Sequence, residues 1–430
     1  GGAIFAGEIA RALGEDEVLA FDMGGTTAKI CLIDKGIPRR SDSFEMAREH
    51  MHLPGSGLPA RIPVIDLVEI GSGGGSIAHI DATSRLRVGP ESAGATPGPA
   101  CYSRGGKRAT VTDADLLLGR LAPEDFLGSG ITLSVEKARQ SIGEQVGDRL
   151  ALEDLAGAMV ISEIVEEQMA SAAREHAREK GVDLRRRSMI AFGGAAPVHA
   201  ASMAAKLGID RIIIPEAAGI GSAVGFLQSQ AVFEISRSIN MPLEAFDAGM
   251  FNREFAAIAA EARSVVAAAA PEAGLEESRT IAMRYRGQGH SLTITIGAGE
   301  LGPEDGETLL RLFLRNYISV YKRPLDGIQV ECVGLGLRLS SVGDALPVRN
   351  ILAADLPETP ATTALFDLND SKFMAVATLN RARLNVGQPF DGPGLIKDNG
   401  TTICVPRNYT AVRSDDGPII LTRRTTAEGG

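Results

Sequence analysis

Tryptophan is absent from this chain, aromatic residues amount to only 4%, and no Lys/Arg stripe with interleaved aromatics offsets a formal net charge of −10. That balance argues against nucleic acid as the main partner, although a nucleotide site can still be locally positive. The four cysteines, Cys31, Cys101, Cys332 and Cys404, lack any C-x-x-C spacing, which excludes a zinc knuckle and a disulfide framework and suits a reducing cytoplasm. No apolar stretch reaches the length of a membrane span, and no charged-then-apolar leader stands at the start. The expectation is therefore a cytoplasmic protein with no membrane partner. Internal repeats and coiled-coil heptads are also missing. What remains is a globular composition over 430 residues, too long for one compact core, which suggests two or three domains. The first residue is Gly1 rather than methionine, which suggests a fragment or a processed product.

The most informative segment is FDMGGTTAKICLIDKG, from Phe21 to Gly36. Val18 to Phe21 form an apolar run that ends at Asp22, and Gly24 and Gly25 then let the backbone approach an anion without side-chain obstruction. Thr26 and Thr27 add hydroxyl donors. Ile30 to Ile33 are strand formers, and Asp34-Lys35-Gly36 is a tight-turn signal. A Walker loop needs a Lys-Ser or Lys-Thr pair and a helix after its glycines, and neither is present. Strand, glycine turn and strand instead resemble the phosphate loop of actin-like and sugar-kinase-like ATPases, in which the aspartate holds Mg²⁺ through water. An ordinary β-hairpin with a glycine turn fits the same letters.

Further along, Val64 to Ile70 reads as a strand leading into Gly71-Ser72-Gly73-Gly74-Gly75-Ser76, where the flanking strands favour a tight functional loop over a linker. Gly89 to Gly106 is so rich in glycine and proline that a long irregular loop is expected. Thr112 is a plausible N-cap for a short helix Asp113 to Gly119, and Glu153 to Lys180 reads as a long amphipathic helix ending at Gly181. Then strand Met189 to Phe192, helix Pro197 to Leu207, strand Arg211 to Ile214 and helix Gly219 to Gln228 alternate as in an α/β domain. Composition changes near Asn240 to Asp247, which places a domain boundary there. The spacing predicts helices over Phe251 to Ala270 and Glu307 to Lys322. The aromatic stripe Phe313, Tyr317, Tyr321 on the second of these reads as core packing.

Gly193-Gly194 follows a strand and precedes a helix with Pro197 in its first turn. Such a backbone can lie flat against an adenosine, and the helix N-terminus favours phosphate; close helix–sheet packing needs the same glycines. His199, in that first turn, reads as structural. His50 and His52 form an H-x-H without further identifiable ligands, so metal binding is not expected there. Asp113 and Asp115 either cap a helix or belong to a substrate site.

Taken together, FDMGGTTAKICLIDKG, EIGSGGGSIAHIDA, VGPESAGATPGPACYSRGG, TVTDADLLLGRL, AFGGAAPVHA and MRYRGQGHSLT occur in an order that resembles the hydantoinase/oxoprolinase family, specifically the A-type subunit of ATP-dependent N-methylhydantoinases and 5-oxoprolinases. The resemblance implies an α/β, actin-like (ribonuclease H-like) nucleotide-binding lobe over residues 1–240 and a mixed α+β C-terminal domain over 241–430. It implies ATP and Mg²⁺ as cofactors, with Asp22, Thr26 and Thr27 in catalytic positions, Asp22 holding the metal through water, and Gly24, Gly25, Gly193 and Gly194 against the nucleotide. The implied chemistry is ATP-dependent hydrolysis of a cyclic amide whose ring carbonyl is activated by phosphorylation, completed by a B-type partner subunit. A subunit of an ATP-dependent ketone carboxylase and a non-catalytic nucleotide-gated assembly protein are the alternatives.

Three departures stand out. Where many members have Ser-Thr-Asp after the glycines, this chain has Thr27-Ala28-Lys29. Leu314 replaces a histidine common on the aromatic helix. A second phosphate loop, expected from a segment preceding Gly1 in longer relatives, does not occur, so weak ATP binding and exposed apolar surface are expected of this stretch alone.

Overall fold

A computed structural model describes residues 1–41, 44–46, 57–60, 64–126, 130–342, 361–367 and 370–424. His50 and His52 lie outside the described residues. The chain divides into two compact units, one of residues 1–228 with 346–430 and one of residues 229–345.

The first unit is built on a nine-stranded sheet. At its centre Glu17–Met23 pairs antiparallel with Ala28–Asp34 and parallel with Ser188–Phe192, which pairs parallel with Arg211–Ile214. Val18 to Phe21 are buried in succession, as is all of Ser188–Phe192. Consecutive burial means that both faces of the sheet are covered, the pattern of an α/β sheet rather than a half-solvated one. Arg187 ties the central strands together: its guanidinium donates to the carbonyls of Val18 and Ile33 at 3.1 Å each and to Asp34 at 2.6 Å.

The helices follow the sequence periodicity closely. The helix Asp154–Glu179 ends before Gly181, which takes φ +65°, and Ala196–Leu207 ends at a left-handed Gly208. The short helix starts earlier than expected. It spans Val111–Leu117 and its N-cap is Thr110, not Thr112, because Thr110 and Asp113 close a reciprocal capping box in which Asp113 also accepts from the Cys101 amide at 2.7 Å. The expected irregular stretch from Gly89 to Gly106 contains the end of strand Leu86–Ser92 and a single turn at Ala100–Tyr102.

The domain boundary read from composition also needs correction. Residues 362–423 do not belong with the segment after 241: Ile419–Arg423 pairs antiparallel with Arg211–Ile214 and extends the first unit's sheet, while Thr362–Asp367, Lys372–Asn380, Gly394–Asp398 and Thr401–Val405 form a second sheet of the same unit. The outward backbone donors and acceptors of Arg211–Ile214, which would otherwise be a sheet edge, are satisfied by a strand from the far end of the chain. The second unit is a four-stranded antiparallel sheet, in the order Val232–Pro242, Val330–Val342, Gly274–Tyr285, Leu292–Ile296, with helices Ala248–Ala269 and Asp305–Tyr321 packed on it. Phe313 and Tyr317 are buried against Tyr285, with ring centroids 5.1 and 4.8 Å away, so two members of the aromatic stripe are core; Tyr321 is exposed.

In the first unit three helices meet at a buried ionic cluster. His199 is wholly buried between Asp115 (Nε2 to Oδ2, 3.1 Å) and Glu166 (Nδ1 to Oε1, 3.0 Å). The Arg120 guanidinium reaches Asp115 at 3.2 Å, Glu166 at 3.1 Å and Ser162 at 2.7 Å. Asp113 and Asp115 are thus interior groups rather than substrate ligands. Burial opposes the His199 charge, yet the carboxylates of Asp115 and Glu166 outweigh it and raise its pKa from 6.5 to about 9. Burial likewise opposes the Glu166 charge, and Arg120 outweighs it, drawing that pKa from 4.5 down to about 2.

The folded state therefore keeps the His199 proton after the unfolded chain has released it. Its stabilising contribution is complete below pH 6.5 and is lost as pH rises through about 9. Thermal melting across that interval should show Tm falling by about 5 °C, and His199→Gln should flatten the decline while lowering Tm at pH 6.5. An unchanged alkaline slope in the variant would place the titrating group elsewhere.

Candidate functional site

Parallel strands end on the same side of a sheet, and the loops that follow them become neighbours. Asp22 pairs with Phe192 in the parallel register, so the Gly24-Gly25 turn and the Gly193-Gly194 turn leave the sheet side by side. The Ala195 amide donates to the Met23 carbonyl at 3.0 Å and links them. Gly193 takes φ +98°, and a Cβ there would come within 2.4 Å of the Met23 carbonyl oxygen and 2.7 Å of Asp22 Oδ1. Only glycine satisfies both constraints.

These turns open on a cleft of about 480 Å³ lined by Asp22, Gly24 to Thr27, Lys29, Gly193, Gly194 and Gly219 to Ala223. The residues that the resemblance places at the nucleotide site, Asp22, Gly24, Gly25, Thr26, Thr27, Gly193 and Gly194, all line this one space, whereas Asp113, Asp115 and His199 do not. A depression of about 550 Å³ elsewhere, around Arg174, Arg178, Gly181 and Arg185, contains none of them.

Asp22 is half-buried at the base of the cleft, where Ser222 Oγ donates to its Oδ2 at 2.6 Å. Burial raises its pKa, more than the Ser222 hydrogen bond and Lys29 lower it. The glycine turn is not a full ring of free donors. The Gly24 amide closes the hairpin on the Thr27 carbonyl at 3.1 Å, so the open amides of the turn are those of Gly25 and Thr26, which have no protein partner among the described residues.

Three contributors lie beyond the residues expected at the nucleotide site, although the Gly71 to Ser76 tract among them does read from sequence as a functional loop. The first is Gly219 to Ser222, which follows strand Arg211–Ile214 as Gly193-Gly194 follows its parallel neighbour. A glycine cluster after a strand was the available signal, obscured by its reading as a helix start. The second is the brace behind the Gly24-Gly25 turn. Gly74 and Gly75 donate to the carbonyls of Gly24 and Gly25 at 3.0 and 2.6 Å, and a Cβ on Gly73 would approach the Thr26 backbone to 2.6 Å. Thr112 fixes this brace by donating from its hydroxyl and its amide to the Gly74 carbonyl at 2.8 and 2.7 Å. The third is the turn at Asn399-Gly400, where Thr401 Oγ1 donates to the Gly194 carbonyl at 3.0 Å and the Asn399 carbonyl would lie 2.8 Å from a Cβ on Gly219.

One half-buried carboxylate, two threonine hydroxyls and open amides form a hard-oxygen and N–H donor set. That set fits a polyphosphate with Mg²⁺, which keeps several waters and takes one or two protein carboxylates. Among the described residues no cluster of three or more His, Cys, Asp or Glu side chains is placed to hold a metal ion, in this cleft or elsewhere, and no helix is long and apolar enough to cross a membrane.

Comparison with known proteins places this geometry in context. A family model described as Hydantoinase/oxoprolinase matches residues 1–235. An uncharacterised protein of Methanocaldococcus jannaschii is 32% identical over 95% of this chain and 59% of its own length. The caprolactamase subunit alpha of Pseudomonas jessenii is 30% identical over 93% of this chain and 57% of its own. The acetophenone carboxylase gamma subunit of Aromatoleum aromaticum is 35% identical over 52% of this chain and 29% of its own. The chain thus spans less than two thirds of these relatives. Among solved structures, nucleotide-free acetone carboxylase superposes with TM-score 0.79 at 23% identity, over 98% of this chain and 60% of that one. The ATP-dependent caprolactamase of Pseudomonas jessenii superposes with TM-score 0.74 at 26% identity, over 98% and 61%.

Two substitutions test the electrostatics and sterics of the cleft. Because burial opposes ionisation of Asp22, Asp22→Asn keeps an acceptor for Ser222 without the charge, and its Tm should rise. Gly193→Ala should destabilise by about 1–3 kcal/mol. A lower Tm for Asp22→Asn would mean that the carboxylate is stabilised by its surroundings instead of strained by them.

Proposed function

The chain belongs to the hydantoinase/oxoprolinase family, and from that membership we propose that it is the ATP-binding subunit of an ATP-dependent hydrolase of cyclic amides, of the hydantoin or 5-oxoproline type, built on an actin-like lobe. The observation that carries the reading is the convergence of the Asp22–Thr27 and Gly193–Gly194 turns on one cleft. Two glycine turns far apart in sequence, aimed at one space, suit one ligand with a phosphate end and a nucleoside end. In this reading Gly24, Gly25, Thr26 and Thr27 cradle phosphate, Gly193 and Gly194 lie against the adenosine, and Asp22 holds a water of the Mg²⁺ shell.

An unactivated cyclic amide is a poor electrophile. Transfer of the γ-phosphoryl to its carbonyl oxygen, with departure of ADP, makes the ring carbon electrophilic enough to add water. The adduct then breaks its ring C–N bond with the nitrogen leaving as a protonated amine, and hydrolysis of the resulting acyl phosphate releases phosphate and the ring-opened carboxylate. Mg²⁺ supplies charge neutralisation on the transferring group when bound. The chain's own residues supply position: Ser222 fixes the Asp22 carboxylate, and the Gly73–Gly75 brace holds the turn so that its amides need not reorganise. Water attack is assigned to a B-type partner subunit, in keeping with relatives that are themselves subunits.

The second reading is a subunit of an ATP-dependent ketone carboxylase. It is favoured by the acetophenone carboxylase subunit, and disfavoured by the much larger share of this chain that the caprolactamase subunit matches. ATP turnover by the protein with its partner distinguishes them. Stimulation by hydantoin, 5-oxoproline or caprolactam, abolished by Asp22→Ala, is expected. Stimulation only by bicarbonate with a ketone would transfer the assignment to the carboxylase, and nucleotide binding without turnover under any of these conditions would leave an assembly role.

A further inference from the structure

Three charged residues stand in a row across three neighbouring strands at the rim of the cleft. The antiparallel register pairs Asp22 with Lys29, and Lys29 with Glu69 on strand Leu67–Ile70. Paired positions in adjacent strands direct their side chains to the same face, so a cation lies between two carboxylates. Its ammonium donates to Thr27 Oγ1 at 2.7 Å and forms an ion pair with Glu69 Oε1 at 3.2 Å. Lys29 and Thr27 line the cleft, whereas Glu69 does not.

We propose that Lys29 is a phosphate-contacting residue that Glu69 holds at the rim of the cleft, and that nucleotide binding exchanges the Glu69 carboxylate for a phosphate oxygen at the Lys29 ammonium. This rests on the nucleotide reading of the cleft. Among the residues lining it Lys29 is the one cation. The open Gly25 and Thr26 amides donate hydrogen bonds but carry no net charge, so the charge of a polyphosphate has no other side chain to meet it there. The side chains of Lys29 and Glu69 are 41% and 54% exposed, the setting in which an ion pair is worth little and breaks readily. A phosphate group carries more charge than one carboxylate and makes strong charge-assisted hydrogen bonds with an ammonium. With three N–H donors Lys29 can keep its bond to Thr27, already in the cleft, while changing its other partner. Glu69 thereby acts as a competitor for the lysine, which weakens nucleotide binding in the resting protein and speeds release.

Calorimetric titration of the intact protein with Mg·ATP and Mg·ADP tests this, with thermal melting to verify that each variant folds. Lys29→Met should weaken Mg·ATP binding about tenfold, a loss of one charge-assisted contact. Glu69→Gln should tighten it by about threefold, and the double variant should bind like Lys29→Met alone, because Glu69 acts only through the lysine. Wild-type affinity in Lys29→Met, or weaker binding in Glu69→Gln, would overturn the inference while leaving the nucleotide site intact. Absence of saturable Mg·ATP binding to the wild-type protein would instead overturn the nucleotide reading, and the inference with it.

Discussion

The parallel pairing of Glu17–Met23 with Ser188–Phe192 is the constraint on which the rest of the first unit depends. It ends two strands at one edge, and in the turns that follow the crowding falls on Gly193, whereas a Cβ on Gly24 or Gly25 would meet nothing within 4 Å. Gly193 sits where any side chain would strike the Met23 carbonyl or the Asp22 carboxylate. Addition of Arg211–Ile214, parallel to Ser188–Phe192, brings a third loop to the same edge with Ser222 in hydrogen-bonding reach of Asp22. The cleft follows from strand direction, and its chemistry from the few side chains that strand direction leaves there.

Behind that edge a buried ionic cluster is set into the apolar core. Arg120, Asp115, Glu166 and His199 join the helices Val111–Leu117, Asp154–Glu179 and Ala196–Leu207 through hydrogen bonds sheltered from solvent. Buried ion pairs of this kind add little net stability relative to an apolar substitute, but breaking one leaves an uncompensated interior charge. Thr112, in the first of these helices, also anchors the Gly74 carbonyl. The ionic cluster and the brace under the Gly24-Gly25 turn therefore share one short helix.

Local signals made much of this legible in sequence. The helices Asp154–Glu179 and Ala196–Leu207 carry apolar residues at helical spacing and end at Gly181 and Gly208, and the strand Arg211–Ile214 is a short run of apolar residues after its arginine. The residues expected at a nucleotide site share one cleft because strand-then-glycine is a local pattern with a fixed geometric outcome. Long-range partners left no such trace. Nothing near Ile419 shows that it pairs with Ile214, nothing near Ser222 that it reaches Asp22, and a lone His199 does not disclose two carboxylates and a guanidinium around it. The cap shifted from Thr112 to Thr110 because the capping box depends on which of two nearby threonines finds Asp113, a choice that tertiary burial makes.

The return of residues 362–423 to the first unit has a consequence for biosynthesis. Residues 229–345 are contiguous, so on the ribosome that unit can close its sheet as soon as its own last strand emerges. The first unit cannot. Its edge strand Arg211–Ile214 waits unpaired on one side until Ile419–Arg423 has been made, with the whole second unit translated in between. Long loop closure slows such pairing, and an open apolar edge during the delay is a site for mispairing with other nascent chains. The length of that interval is set by chain connectivity and not by any property of the finished cleft.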